Sequence, residues 1–234
     1  IHKIEDIQVK DLEITFGNTP VLKGLNMNIP PKTSIAFVGE SGAGKTTLMN
    51  CLLGNKFINS GSIKINSLNP GNQKLKEFLN ILPQENVVPE KLKVKELLNF
   101  IQKLYKNPLT NEEIDVLLRF DDSQKENFAS KLSGGQKRLL SFIITLIGRP
   151  KLIFLDEATS SLDSILEHKI IQTLEQEYRH LTKVMIAHRL STVQDATQIY
   201  FLEDGKITGV GTHSELLESH PHYQEFVKKQ MIHQ

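Results

Sequence analysis

Gly39-Glu40-Ser41-Gly42-Ala43-Gly44-Lys45-Thr46 is a glycine-rich segment that ends in a lysine and a threonine. The apolar run Ser34–Val38 leads into it and predicts a buried strand, and the pattern from Lys45 to Leu53 predicts a helix. Glycines let backbone N–H groups turn inward around an anion, at the start of a helix whose dipole favours negative charge. A strand, this loop and a helix together predict a phosphate-binding loop. Lys45 is expected to reach the β- and γ-phosphates, and the Thr46 hydroxyl to bind Mg²⁺.

The rest of the chain alternates short apolar runs with helical patterns, which predicts an α/β fold with a mostly parallel sheet. Alternating apolar and polar residues before position 30 predict additional short antiparallel strands. From about residue 74 to residue 148 the pattern is helical, and a further helix is expected from 165 to 179. We therefore predict one domain, 1–234. Segments 1–83 and 149–234 would form the sheet core with an antiparallel β-subdomain, and 84–148 an inserted helical subdomain.

A second chemical signal is the segment Leu152-Ile-Phe-Leu-Asp156-Glu157. A hydrophobic strand that ends in two carboxylates places negative charge at the C-terminal edge of the sheet, where ligands bind in open α/β folds. Asp156 suits a water-mediated contact to Mg²⁺. Glu157 suits a general base that polarises the water attacking the γ-phosphate. Without the phosphate loop, such a pair would more often belong to a surface turn.

A third signal is Leu132-Ser133-Gly134-Gly135-Gln136, which opens a predicted helix with a serine and two glycines. Alone it would be a capped flexible turn. Together with the two preceding segments, it resembles the signature motif of ATP-binding cassette (ABC) proteins. The resemblance extends from about Ile7 to Gln230, with each landmark in the family's order. It implies a P-loop ATPase that uses ATP and Mg²⁺.

The resemblance implies further roles at individual positions. Phe16 matches the aromatic residue that stacks on adenine, and Gln84 matches the loop glutamine that contacts Mg²⁺ and takes part in catalysis. Asp163 matches the loop that crosses between two subunits, and His188 matches the histidine that senses the γ-phosphate. The residues expected to bind nucleotide are Phe16, Gly39, Glu40, Ser41, Gly42, Ala43, Gly44, Lys45, Thr46, Thr47, Ser133, Gly134, Gly135 and Gln136.

In the family, two ATPase domains hold ATP between them, which implies that Lys45 of one subunit and Ser133 of another complete one site. The second domain could be an identical or a different chain. The implied partners are that second ABC ATPase domain and the transmembrane domain of a transporter. Segments 156–163, 188–192 and 211–217 resemble the exporter branch, whereas segment 125–130 and the helix after the signature depart from its usual pattern.

One other function remains open at this stage, an ABC ATPase that acts with soluble partners. An ATP sensor that does not cleave ATP would predict the loss of the base or the histidine, and both Glu157 and His188 are present. The chain is expected to be either an excised domain of a longer exporter or a separate subunit. Its composition, 39% hydrophobic and 24% charged, is typical of a globular protein. A net charge of +1 provides no basic surface for nucleic acid, so no nucleic-acid partner is expected. No signal-peptide pattern precedes residue 10, and we expect a location on the cytoplasmic face of a membrane.

Overall fold

The computed structural model describes residues 5–86, 88–157 and 161–231, with side chains at 161–164, 174, 177 and 231 left outside that description. Its contacts divide the chain into two units, one of Ile1–Glu77 with His180–Gln234 and one of Phe78–Arg179. The strands are β1 (Ile7–Phe16), β2 (Thr19–Ile29), β3 (Ser34–Val38), β4 (Ser60–Ile65), β5 (Leu79–Leu82), β6 (Leu152–Asp156), β7 (Thr182–Ile186), β8 (Gln198–Glu203) and β9 (Lys206–Gly211). The helices are α1 (Lys45–Leu52), α2 (Val94–Lys103), α3 (Asn111–Leu118), α4 (Asp122–Glu126), α5 (Gly134–Leu146), α6 (Ser161–Glu177), α7 (Leu190–Asp195), α8 (His213–Ser219) and α9 (Pro221–Phe226).

The first unit contains an antiparallel sheet of three strands in the order β2-β1-β4. In the central strand, Val9 pairs with Met27 on one side and with Ile63 on the other. Alternate side chains of β1 are buried, as the period of two in the sequence predicts. The register shifts after Val9 in the pairing with β2 and after Lys10 in the pairing with β4, which marks a bulge where Asp11 adopts a positive φ of 48°.

The same unit contains a mostly parallel set of strands, β7-β3-β8-β9, in which only β9 runs antiparallel. Every residue of β3 and β7 is buried, because these strands are covered on both faces. One core cluster joins β3 and β8 to the C-terminal helices, with Phe201 in edge-on contact with Tyr223. Cys51 of α1 is buried, which raises the pKa of its thiol to about 11 and fits the packing role of that residue.

The second unit pairs β5 with β6 in parallel and also contains α2 to α6. Helix α5 packs against α3 and α6. Its apolar residues Leu140, Phe142 and Ile143 are buried, which fits the helical period of the sequence.

The α/β class, the antiparallel strands and the mostly parallel arrangement are confirmed. Two details of the predicted elements were wrong. Leu79–Leu82 is a strand and lies inside the stretch expected to be helical, because a four-residue strand has too few residues to show a period of two. Helix α6 begins at Ser161 and not at residue 165, since its first turn has a single apolar residue, Leu162, which is too few to show a helical period. Segment 84–148 falls inside the second unit, which also contains β5, β6 and α6. The predicted subdomain boundaries stay a prediction.

Candidate active site

The glycine-rich loop of the first unit follows β3 and turns directly into α1. Gly39 must be a glycine because a Cβ there would lie 2.3 Å from the backbone oxygen of Leu202 on β8. Gly44 has a φ of 110°, and a Cβ on it would meet the Leu22 side chain at 2.7 Å. Within the loop, the Ala43 N–H donates to the Glu40 carbonyl at 3.1 Å. These contacts fix a compact loop whose backbone lies close to two neighbouring strands.

The N-terminus of α1 differs from those of α3, α4 and α5. Helices α3, α4 and α5 are capped by Thr110, Asp121 and Ser133 respectively, because each side-chain oxygen accepts a hydrogen bond from a backbone N–H of the first turn. Gly44 is the N-cap of α1 and has no side chain to do so. The first-turn N–H groups of α1 can therefore turn to a bound anion, and the helix dipole adds to the attraction.

Lys45 supplies the fixed cation of this loop. Its Nζ donates to the Gly39 carbonyl and, at 3.4 Å, to the Glu40 carbonyl. The ammonium group is thus held over the loop by the loop's own backbone. Phosphate oxygens bind an ammonium more strongly than neutral carbonyls do, because both partners are charged. Lys45 can exchange these carbonyls for phosphates without leaving the loop.

His188 reaches the same edge of the first unit as the loop. β3 and β7 are parallel, with Phe37 opposite Ile186, and the Ala187 N–H donates to the Phe37 carbonyl at 3.1 Å. The carboxyl ends of neighbouring parallel strands lie at the same edge of a sheet. The loop after β3 and the histidine after β7 therefore lie at that edge. His188 is half-buried, as a group that contacts a ligand from a strand end would be.

In the second unit, parallel pairing brings Gln84 and the two carboxylates to one edge. Leu82 lies opposite Leu155, so Gln84 follows β5 at the edge where Asp156 ends β6 and Glu157 follows it. Gln84 is exposed, Asp156 is half-buried and Glu157 is 1% exposed. Parallel pairing of β5 with β6 therefore places the positions of Gln84, Asp156 and Glu157 at one edge of the second unit, and their roles stay a prediction.

Ser133 and Gln136 form a capping box at the start of α5. The Gln136 N–H donates to the Ser133 Oγ at 3.2 Å, and the Ser133 N–H donates to the Gln136 Oε1 at 3.0 Å. The serine hydroxyl still has its own proton to donate outward. Ser133 and Gly134 are both exposed, so this helix start is accessible on the surface of its unit.

Phe16 and Asp163 are the remaining predicted positions. Phe16 ends β1, is 46% exposed, and the Lys56 Nζ lies 4.5 Å from the centre of its ring. The ring is accessible, and adenine stacking stays a prediction. Asp163 belongs to the first turn of α6, and its side chain lies outside the described residues.

A cleft of about 480 Å³ adjoins the loop, and β8 and the C-terminal helices also line it. Its charged lining consists of carboxylates with one lysine and one histidine: Glu40, Glu203, Asp204, Glu225, Lys229 and His222. Lys229 is itself paired to Glu225 at 2.7 Å. Because such a lining repels a polyphosphate, we assign the phosphates to the α1 side of the loop and not to this cleft.

Sequence reasoning missed Arg138 on α5. This side chain is fully buried and donates to the backbone beside Gln84 and Asp156. The available signal was a charged residue placed one position before an apolar helical run, and it was overlooked because an arginine near a helix start is usually solvent-exposed.

The close approach at Gly39 gives a testable stability effect. We expect Gly39→Ala to lower the free energy of unfolding by about 1–3 kcal/mol, since the new methyl group must displace the β8 backbone. Gly135→Ala is the matched control, because its Cβ would meet only the Leu166 side chain, at 3.7 Å. Urea unfolding followed by circular dichroism measures both. Equal stability of Gly39→Ala and the unsubstituted chain would contradict the packing described here.

Comparison with known proteins decides the family. Residues 22–160, more than half of the chain, match the family model described as ABC transporter. This chain belongs to the ABC transporter family. It is an ABC ATPase domain, of the type that hydrolyses ATP to drive transport in this family.

Its relatives within the ABC family include larger transporters. The chain is 33% identical to the heavy metal tolerance protein of Schizosaccharomyces pombe, over 92% of this chain and 29% of that protein. It is also 33% identical to a multidrug resistance ABC transporter ATP-binding and permease protein of Lactococcus lactis, over 90% of this chain and 38% of that protein. A solved structure of a bacterial Atm1-family ABC exporter with ATP bound matches with a TM-score of 0.84 and 25% identity, over 98% of this chain and 42% of that one. The ABC domain thus spans roughly a third of these two relatives' length. Among the described residues, no helix has the length and apolar character needed to span a membrane.

Proposed function

We propose that this chain binds and hydrolyses ATP to drive export across a membrane, as the nucleotide-binding domain of an ABC exporter. The observation that carries the proposal is the uncapped start of α1 beneath a glycine loop that holds Lys45. That arrangement suits the β- and γ-phosphates of a nucleotide. Support for export comes from the names of similar proteins, which include a multidrug resistance ABC transporter and an Atm1-family ABC exporter.

In this proposal, Glu157 is the general base that takes a proton from the attacking water, and His188 contacts the γ-phosphate. The residues offered to Mg²⁺ are Thr46, Gln84 and Asp156. Hydroxyl, amide and carboxylate oxygens fit the ion, which prefers hard oxygen ligands and usually keeps water and phosphate as the others. Bound there, Mg²⁺ would neutralise charge that develops on the phosphates.

We further propose that two ATPase domains enclose ATP between them. The exposed start of α5 supports this, because Ser133 and its helix dipole can offer donors to a phosphate held by Lys45 of a second domain. Asp163 would contact the partner domain. Closure with ATP and opening after hydrolysis would then move an attached transmembrane domain, with the ATPase on the cytoplasmic face. An ABC ATPase that acts with soluble partners is the alternative.

The direct test is phosphate release from Mg²⁺-ATP by the purified chain at several protein concentrations. If two domains form the site, turnover per chain rises with protein concentration until the dimer is saturated. Phosphate release no greater than that of Lys45→Ala would contradict ATP hydrolysis. Turnover per chain that is constant down to nanomolar protein would contradict the shared site.

His188→Ala should lower the turnover number by about 10²–10³-fold, the usual cost of one donor to transition-state charge, and leave ATP affinity within twofold. His180→Ala is the matched control, because His180 precedes β7 and His188 follows it, at opposite ends of the strand. Steady-state phosphate release and a fluorescent-ATP titration measure the two quantities. Normal turnover in His188→Ala would remove the histidine from the mechanism.

A further inference from the structure

Arg138 is a fully buried cation in the second unit, and all of its N–H donors point at acceptors. Nε and Nη2 donate to the two carboxylate oxygens of Glu167, at 3.3 and 2.9 Å. Both side chains of this pair are 0% exposed. The remaining donors contact oxygens of the loop after β5 and of the end of β6. A guanidinium has five N–H donors in a fixed plane, so one side chain can serve all of these acceptors together.

The loop after β5 and the end of β6 receive those remaining donors. Nη1 lies 2.5 Å from the Pro83 carbonyl, 3.2 Å from the Gln84 carbonyl and 3.3 Å from the Asn86 Oδ1. Nη2 lies 3.1 Å from the Asp156 carbonyl. One side chain on α5 therefore contacts the backbone of two residues that are offered to Mg²⁺.

Stability alone does not account for this arrangement. Buried ion pairs are often no more stable than apolar residues of the same volume, because both charges lose their hydration. The neighbouring helix positions Leu140, Phe142 and Ile143 are apolar and buried, so an apolar residue at 138 would suit the core. Pro83 and Gln84, in contrast, are exposed, so their side chains are not part of that core. What the arginine adds is a defined position for that loop relative to the end of β6.

We propose that Arg138, fixed by Glu167, is a positioning residue that sets the Gln84 loop and the Asp156 backbone in the geometry required to bind Mg²⁺. It contacts neither metal nor nucleotide. Because Ser133 starts the same helix five residues earlier, about 7.5 Å along its axis, α5 links the signature serine rigidly to these metal-binding positions. This inference rests on the proposed function, and it assigns a role to a residue outside the predicted site.

Arg138→Lys is the primary test, because it retains the charge beside Glu167 and loses the planar fork. Removing a residue that orients metal ligands typically costs 10–100-fold in metal affinity. We therefore expect the dissociation constant for Mn²⁺, followed by electron paramagnetic resonance with a non-hydrolysable ATP analogue present, to rise at least about tenfold. ATP affinity in EDTA should stay within twofold, since Lys45 and the α1 start are unchanged.

Arg149→Lys is the matched control. Arg149 also forms a two-point pair with a glutamate of the same unit, Glu113, and also donates to backbone carbonyls, but it is on the surface. Its Mn²⁺ affinity and turnover should equal those of the unsubstituted chain. If Arg138→Lys does not fold, the double variant Arg138→Gln with Glu167→Gln replaces it, because that variant removes both charges and leaves neither one unpaired in the core.

Three results would overturn the inference. Normal Mn²⁺ affinity in Arg138→Lys, or in the double variant, would show that the fork does not position the metal ligands. Equal losses of Mn²⁺ binding and of ATP binding in EDTA would indicate general destabilisation. A loss of Mn²⁺ affinity in Arg149→Lys of the same size would show that the effect is not specific to residue 138. Failure of the unsubstituted chain to hydrolyse ATP is a separate outcome, and it would contradict the proposed function.

Discussion

Lys45→Ala should raise the dissociation constant for ATP by about 100-fold. The Lys45 ammonium group lies over the loop, held by the carbonyls of Gly39 and Glu40. It is therefore the cation next to phosphates bound at the start of α1. Hydrogen bonds between charged partners contribute roughly 1.5–3 kcal/mol each, and 2.8 kcal/mol corresponds to a factor of 100. Isothermal titration calorimetry with ATP in EDTA measures the loss without interference from hydrolysis.

Lys229→Ala is the control that distinguishes the two faces of the loop. Lys229 lines the acidic cleft beside the loop and pairs with Glu225, whose pKa its ammonium group lowers. If the phosphates bind on the α1 side, Lys229→Ala keeps its ATP affinity. A loss of affinity confined to Lys229→Ala would place the nucleotide in the cleft and contradict our assignment.

Glu157→Gln should retain ATP binding and lose about 10²–10⁴-fold in turnover, the usual contribution of a general base. Glutamine has nearly the same shape as glutamate, so the end of β6 should not change, but its amide cannot accept the proton of the attacking water. Single-turnover hydrolysis in rapid-quench experiments measures the chemical step itself.

Glu203→Gln provides the comparison for Glu157→Gln, since Glu203 is also a glutamate at the carboxyl end of a strand, β8, but lies in the acidic cleft. Its turnover should be unchanged. A Glu157→Gln chain with turnover within threefold of the unsubstituted chain would mean that another group is the base.

The sequence was sufficient to predict the loop and the strand-end carboxylates, because their chemistry depends on residues adjacent in the chain. Gly39 to Thr46 needs only a strand before it and a helix after it, and both are visible as apolar patterns. Asp156 and Glu157 follow an apolar run of a length that is typical of a buried strand and short for a helix. Parallel pairing of β5 with β6 and of β3 with β7 puts Gln84 and His188 after the carboxyl ends of strands, and their catalytic roles stay predictions.

Long-range contacts could not be predicted in this way. Arg138 and Glu167 are 29 positions apart, and single-sequence patterns carry no information about such a pair. The close approach of Gly39 to Leu202 depends in the same way on the pairing of β3 with β8. The strand Leu79–Leu82 was missed for a different reason, because four residues with mixed burial lack a detectable period.

Size-exclusion chromatography with light scattering on Glu157→Gln, with ATP and without Mg²⁺, tests the account most directly. A base-deficient chain that binds ATP should accumulate in the closed state, so we predict a monomer of 26.5 kDa without nucleotide and a dimer of twice that mass with ATP. A chain that stays monomeric with ATP, although titration shows that ATP is bound, would contradict the shared site between Lys45 and the partner's signature serine.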